Sequence, residues 1–203
     1  MPERVEILTR VPLPGTAKTR LIPVLGADGA AALHAALVAE TLARVRQSGL
    51  PARIHLDGPL DHPWCEALRA QGWALLAQIP GDLGARLQAA MAGPGRRLAL
   101  GTDCVTFAPA WLVEAARAPA PVVLGPAEDG GYWTLCVDAP LPEIFEQIDW
   151  STPRVAAQTR ARAQALGLPV GEAPSCYDID TPEDLDRLRS DPACPPSLRP
   201  FLR

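Results

Sequence analysis

The sequence has almost no lysine. Lys18 is the one lysine in 203 residues, and the other eighteen basic side chains are arginine. No basic block or stripe occurs and the net charge is −4, which argues against nucleic acid as a principal partner, because such proteins carry a basic footprint. No apolar segment approaches the roughly 20 residues needed to span a bilayer, so no membrane association is expected. The start "MPERVEILTRV" lacks the charged and apolar regions of a signal peptide. No C-x-x-C or metal spacing joins Cys65, Cys104, Cys136, Cys176 and Cys194, which read as core residues or free thiols of a cytoplasmic protein. His34, His55 and His62 are unclustered, which speaks against zinc, and are expected to lie far from any acidic rim. No repeat or long linker divides the chain, and its length suits one domain over residues 1–203 with a Pro-rich surface tail from about residue 190.

Short apolar runs alternate with helical patterns, which predicts an α/β fold with a mostly parallel sheet covered on both faces. "VEIL", "ARIHL", "ALLAQ", "RRLALGTDC", "PVVLGPA" and "YWTLCV" read as strands. Helices are expected from Ala27 to Gly49, where Leu33, Leu37, Thr41 and Val45 share a face, in "HPWCEALRAQG", in "GDLGARLQAAMAG" and over Pro109 to Arg117. Two more are expected in "STPRVAAQTRARAQALG", with proline at the first helical position, and in "TPEDLDRLRS". In the last, Thr181 can cap, and Glu183 and Asp184 suit the positive helix end.

Open α/β sheets bind ligands at the carboxyl ends of their strands, and four unusual stretches fall there. "PLPGTAKTRL" presents Lys18, Thr19 and Arg20 after a loop shaped by Pro12, Pro14 and Gly15. Two cations and a hydroxyl suit a polyphosphate, although the spacing is not the nucleotide hydrolase loop. A compact ammonium, unlike the planar arginine fork, fits a single phosphate oxygen. Asp103 in "GTDC" can ligate Mg²⁺, which prefers oxygen ligands and phosphates, or can cap the following helix. "EDGGYW" reads as a tight hairpin turn, or as a backbone that passes close to a substrate at Asp129, Gly130, Gly131 and Tyr132. Asp178 and Asp180 flank Ile179, so both carboxylates point to one side of an extended chain, and their repulsion asks for a cation.

Six stretches in order, "PLPGTAKTRLIPVLG", "GDLGARL", "GTDC", "GPAEDGGYW", "FEQIDWSTPRV" and "DIDTPEDL", resemble a family of bacterial GT-A-fold transferases long catalogued as a domain of unknown function, some called glycosyltransferase-like or arsenosugar-pathway glycosyltransferases. The resemblance covers roughly Val5 to Leu188. More distantly, "KTRL" and "DIDTPEDL" resemble the phospholactate guanylyltransferases of the F420 pathway, and "GTDC" resembles molybdopterin nucleotidyltransferases. Two departures stand out: Val105 where the family usually has proline, and Arg10 where it commonly has lysine. The resemblance implies a three-layer α-β-α nucleotide-diphospho-sugar transferase fold using Mg²⁺ or Mn²⁺.

The expected function is transfer of a glycosyl or nucleotidyl group from a nucleotide or nucleotide-sugar to a small-molecule acceptor. Lys18, Arg20 and Asp103 are the expected catalytic groups, and Pro14, Gly15, Lys18, Thr19 and Arg20 hold the nucleotide. Asp129, Gly130, Gly131 and Tyr132 meet the acceptor or sugar, while Asp103, Asp180 and Asp178 hold the metal. The competing reading is a non-catalytic nucleotide or metabolite sensor on the same fold. Three rim carboxylates, costly if unneeded, favour the enzyme.

Overall fold

The computed structural model describes residues 3–202, and their seven strands form one mixed sheet in the order β3-β2-β1-β4-β6-β5-β7. These are β1 (Arg4–Arg10), β2 (Ala52–Asp57), β3 (Leu75–Ala77), β4 (Gly95–Leu100), β5 (Val122–Pro126), β6 (Tyr132–Ala139) and β7 (Val170–Glu172). β1 to β4 run parallel, whereas β6 is antiparallel to both neighbours, β4 and β5. The hairpin from β5 to β6 explains that reversal. Gly130, at φ 89°, turns the chain, and its amide bonds Ala127 O at 3.1 Å.

Two apolar layers sandwich the sheet. Val5, Ile7, Ile54, Leu56, Leu98 and Leu100 pack in one cluster beneath helices α1 (Ile22–Ser48), α2 (Pro63–Ala70) and α4 (Pro109–Arg117). The opposite face, with Ala99, Leu124, Leu135 and Val137, is covered by α3 (Leu83–Ala90), the short 3-10 turn Pro142–Phe145 and α5 (Val155–Ala165). The layers are therefore α-β-α, as the alternating pattern implies. On α1 the predicted stripe Leu33, Leu37, Thr41 and Val45 is buried, and each fully buried leucine contributes roughly 1.5–3 kcal/mol. α1 breaks at Gly26, φ 71°, immediately before the residue where the sequence pattern starts it.

Several expectations need correction. The segment Ser151–Arg154 is a run of turns, and α5 begins at Val155 with Arg154 as its cap. Ser151 takes a left-handed φ of 61° and belongs to the turns that precede the helix. β7 was hidden in "LPVGEA", a pattern too short to signal a strand. The tail does more than wrap the surface: Pro196–Phe201 forms a 3-10 turn that packs on α1 and buries Leu198 completely. Finally, the stretch Thr19–Ser48 is long and apolar enough, by length and composition, to cross a membrane. Its apolarity has a reason in the fold, because the helix is packed both by the sheet core and by the cluster of the tail and α6 (Pro182–Ser190).

Candidate active site

β1 delivers the chain to the rim at Thr9 and Arg10, and the loop that follows is held locally. Arg10 Nη1 donates to Thr16 O at 2.8 Å, and Thr16 Oγ1 to Leu13 O at 2.9 Å. Gly15 turns at φ 80°. The loop then ends in an unusual place: Lys18 itself adopts the left-handed conformation, φ 49° and ψ 44°. Non-glycine residues persist there when their surroundings over-determine them, and such residues cluster at functional sites.

Those surroundings are two carboxylates. Lys18 Nζ donates to Asp103 Oδ1 by a short contact and to Asp180 Oδ1 at 2.8 Å, with 3% of the side chain exposed. Burial disfavours the ammonium, but Asp103 and Asp180 more than offset it, so the Lys18 pKa is raised. Burial likewise pushes Asp103 up, and Lys18 outweighs it, leaving that carboxyl below its ordinary range. The three residues lie 85 and 162 positions apart in pairs with Lys18, and the backbone explains their convergence. Ile179 N bonds Asp103 O at 3.0 Å, tying the extended acidic segment to the end of β4. Asp184 Oδ2 accepts from the amides of Asp180 and Thr181 at 2.9 and 2.7 Å while Thr181 caps α6. Thr181 is thus the cap that the helix start predicted, and Asp184, read from the sequence only as charge suited to that helix end, completes the capping box and also fixes where Asp180 stands.

Asp178 is turned differently. Its Oδ1 accepts from Cys104 Sγ at 3.1 Å, and burial, with Asp103, Asp129 and Asp180 nearby, raises its pKa to about 7. Val105 is fully buried in one cluster with Leu21 and Ile179, so its side chain helps seat the acidic segment.

Two clefts meet at this centre. The first, about 650 Å³, is walled by Arg10, Thr16, Lys18, Thr19, Arg20 and Arg86, and Asp103 and Asp180 also line it. The second, about 520 Å³, takes Asp129, Gly131, Tyr132 and Asp178. Arg20, Asp103, Ser151 and Asp180 line both. Pro14 and Gly15 shape the loop and stand outside both linings. Gly130 does too: a Cβ there would fall 2.0 Å from Pro153 O, so its bareness serves packing of the hairpin on the 151–154 turn.

The sequence reading placed the histidines far from the rim, and His34 corrects it. His34 lines the first cleft from α1, 4% exposed. Its Nε2 donates to Arg10 O at 3.1 Å and lies 3.3 Å from Thr9 Oγ1, which bonds Thr102 Oγ1 at 2.9 Å. A carbonyl only accepts, so Nε2 carries the proton. Burial lowers the His34 pKa, which keeps the ring neutral near pH 7 and suits a structural brace under the Lys18 loop. Asp57, Gln78 and Arg86 were also missed. Arg86 bonds Asp57 Oδ2 at 2.9 Å and Gln78 Oε1 at 3.2 Å across the first cleft. Asp57 ends β2, so the strand-end rule could have found it.

The family model described as an uncharacterized protein conserved in bacteria (DUF2064) matches residues 30–152, more than half of the chain. The chain belongs to this family. No curated protein matches the DUF2064 chain in sequence. Among solved structures it is similar to a candidate nucleotide-diphospho-sugar transferase from Desulfovibrio desulfuricans G20, at 28% identity and a TM-score of 0.84, covering 98% of this chain and 95% of that one. It is also similar to the inositol-1-phosphate CTP transferase of T. maritima, at 14% identity, a TM-score of 0.62 and 91% coverage of both chains. A nucleotidyl transferase from Methanothermobacter thermautotroptrophicus gives 15% identity and a TM-score of 0.62, with 92% and 95% covered. At such identities the last two show the fold, which is that of the nucleotide-diphospho-sugar transferases.

Proposed function

We propose that the chain is a metal-dependent transferase that takes a nucleotide or nucleotide-sugar donor and moves a glycosyl or nucleotidyl group to a small-molecule acceptor. One observation carries this reading: the sole lysine, almost fully buried and held in a left-handed conformation, sits between Asp103 and Asp180 where two clefts join. The first cleft suits the donor, because Arg10, Lys18, Arg20 and Arg86 line it and phosphates need cations. The second suits the acceptor.

No three His, Cys, Asp or Glu side chains among the described residues form a ready metal cluster. Two carboxylates converging on one cation nevertheless fit Mg²⁺ or Mn²⁺, which commonly take one or two carboxylates and complete their shell with phosphate oxygens and water. Asp103 and Asp180 would hold the ion, with Asp178 behind them. A divalent ion there would neutralise charge on the departing phosphate oxygens. Lys18 then turns from the carboxylates to a donor phosphate, Arg20 spans both clefts, and the protein contributes positioning and fixed charge. The five free thiols suit the reducing cytoplasm.

A thermal-shift screen of nucleoside triphosphates and nucleotide-sugars, with and without Mg²⁺ or Mn²⁺, tests the proposal, since a ligand that binds the native state raises its melting temperature. Metal-enhanced stabilisation followed by turnover is expected. Binding without turnover for any acceptor would favour a sensor, and no binding at all would refute both readings.

A further inference from the structure

Six residues line both clefts: Leu8, Arg20, Leu83, Asp103, Ser151 and Asp180. With the donor in the first cleft and the acceptor in the second, the reading on which this inference rests, the transferred group crosses among these six. Leu8 and Leu83 are apolar. Arg20, Asp103 and Asp180 are charged, and the proposed function gives them to the donor phosphates and the metal. Ser151 is the one uncharged hydrogen-bonding side chain of the six, and it has no task so far.

The turn is fastened on both sides of Ser151. Trp150 lies on α3, where a Cβ added to Gly84 would come within 2.2 Å of its Nε1. Thr152 Oγ1 donates to Asp149 O at 2.7 Å and accepts from the Arg154 amide at 3.3 Å. Gln158 of α5 grips Asp149 twice, accepting from its amide at 2.9 Å and donating to Oδ2 at 2.8 Å. The Ala156 amide bonds Gly130 O at 2.9 Å, which ties the start of α5 to the β5–β6 hairpin. Ser151 is exposed, and among the described residues its hydroxyl takes no part in this network. It also holds a left-handed φ of 61°, a conformation uncommon outside glycine and best tolerated by asparagine and aspartate. Glycine would make the same turn without that strain. A serine there, strained and unbonded, carries a side chain that the turn itself does not need, and such strain collects at functional sites.

We infer that Ser151 Oγ hydrogen-bonds an oxygen of the group in transit. That oxygen is a sugar hydroxyl if the donor is a nucleotide-sugar, and an α-phosphoryl oxygen if it is a nucleoside triphosphate. A hydroxyl both donates and accepts, so it serves either. It also adds no charge to a junction where Lys18, Arg20, Asp103 and Asp180 already stand. Ser151 thus binds the transferred group, whereas Lys18, Asp103 and Asp180 serve the leaving phosphates and the metal.

The test compares each whole donor with its leaving group, using the full chain with Mg²⁺. The pairs are UDP-glucose with UDP, GDP-mannose with GDP, and each nucleoside triphosphate with inorganic diphosphate. If wild type binds none of the donors, the donor reading fails and this inference falls with it. Where a donor binds, Ser151→Ala should weaken it at least about fivefold, as the loss of one hydrogen bond predicts, and leave the affinity for its leaving group unchanged. The pair that shows this selective loss names the transferred group. Ser151→Gly removes the hydroxyl and relaxes the backbone as well. It should show the same selective loss while melting no lower than Ser151→Ala. Donor affinity equal to wild type in either variant overturns the inference. So does a loss shared equally by donor and leaving group, which would put Ser151 on the leaving phosphates instead.

Discussion

Lys18 donates to Asp180 at 2.8 Å while also bridging to Asp103, and so one ammonium holds together two carboxylates from distant parts of the chain. In the proposed function Lys18 stands where a divalent ion would bind and turns to a donor phosphate, and the two proposed roles can be separated.

Lys18→Ala should weaken the metal-free fold and strengthen metal binding. Removing one partner from a buried ion pair costs about 3–5 kcal/mol. Asp103 and Asp180 are 43% and 42% exposed, so solvent screening reduces the expected loss to about 1–3 kcal/mol. Mn²⁺ affinity, followed by the electron paramagnetic resonance of the free ion, should rise because the ion no longer competes with an ammonium. Equal or weaker Mn²⁺ binding in the variant would show that Asp103 and Asp180 are not the ligands.

Gly130 and Gly131 should respond differently although they are adjacent. A Cβ on Gly130 would meet the Pro153 carbonyl at 2.0 Å, at φ 89°, so Gly130→Ala is expected to cost about 2–4 kcal/mol of fold stability. At Gly131 the nearest atom is Asp129 Oδ1 at 3.1 Å. Gly131→Ala should spare the melting temperature and donor binding while impairing transfer. Chemical denaturation of both variants checks the first statement, and a similar loss in each would put Gly131 in the packing as well.

Much of this site could be read in the sequence because strand-end chemistry is local. The single lysine, the "GTDC" acid and the alternation of Asp178 and Asp180 each announce a rim residue without help from the rest of the fold, and Thr181 marks its helix start. His34 could not be read that way. It reaches the rim because α1 packs so that His34 comes within hydrogen-bonding distance of Thr9 Oγ1 and Arg10 O, a contact between segments about 25 residues apart. Ser151 was misread for a related reason: serine, threonine and proline before an alanine-rich run look like a helix start, yet here they form a turn that lines the second cleft, with Ser151 lining the first as well. β7 and the tail 3-10 turn depend on neighbours that no local pattern encodes.

The pH dependence of stability should carry two opposite signatures. For Glu6, burial raises the pKa, but His55, Arg53 and Arg97 outweigh it and hold the carboxyl below its ordinary 4.5. Its contribution is therefore present above that value and lost as the pH falls through the folded pKa. Glu6 is fully buried and bonded to all three partners, so Glu6→Gln should cost about 3–5 kcal/mol at neutral pH and flatten the acid limb.

Asp178 has the reverse sign. Its pKa rises from 3.8 to about 7, so the folded state binds the proton more tightly than the unfolded chain. Stability should fall as the pH rises from about 4 to 7 in the presence of a chelator. Asp178→Asn should remove that slope and gain on the order of 2–4 kcal/mol at pH 8 relative to wild type. A wild-type melting curve flat across this window would mean that Asp178 is solvated well enough to ionise normally.

The most direct measurement is calorimetric titration of Mg²⁺ with inorganic diphosphate, the moiety shared by any nucleotide donor of this fold, into wild type, Lys18→Ala and Asp103→Asn. If Lys18, Asp103 and Asp180 form the centre that holds the donor phosphates, wild type should bind one diphosphate in a Mg²⁺-dependent way. Lys18→Ala should then bind it at least about tenfold more weakly, the equivalent of about 1.4 kcal/mol, and Asp103→Asn should lose the dependence on Mg²⁺. Binding that is equal in all three proteins, or undetectable in wild type, would contradict the assignment.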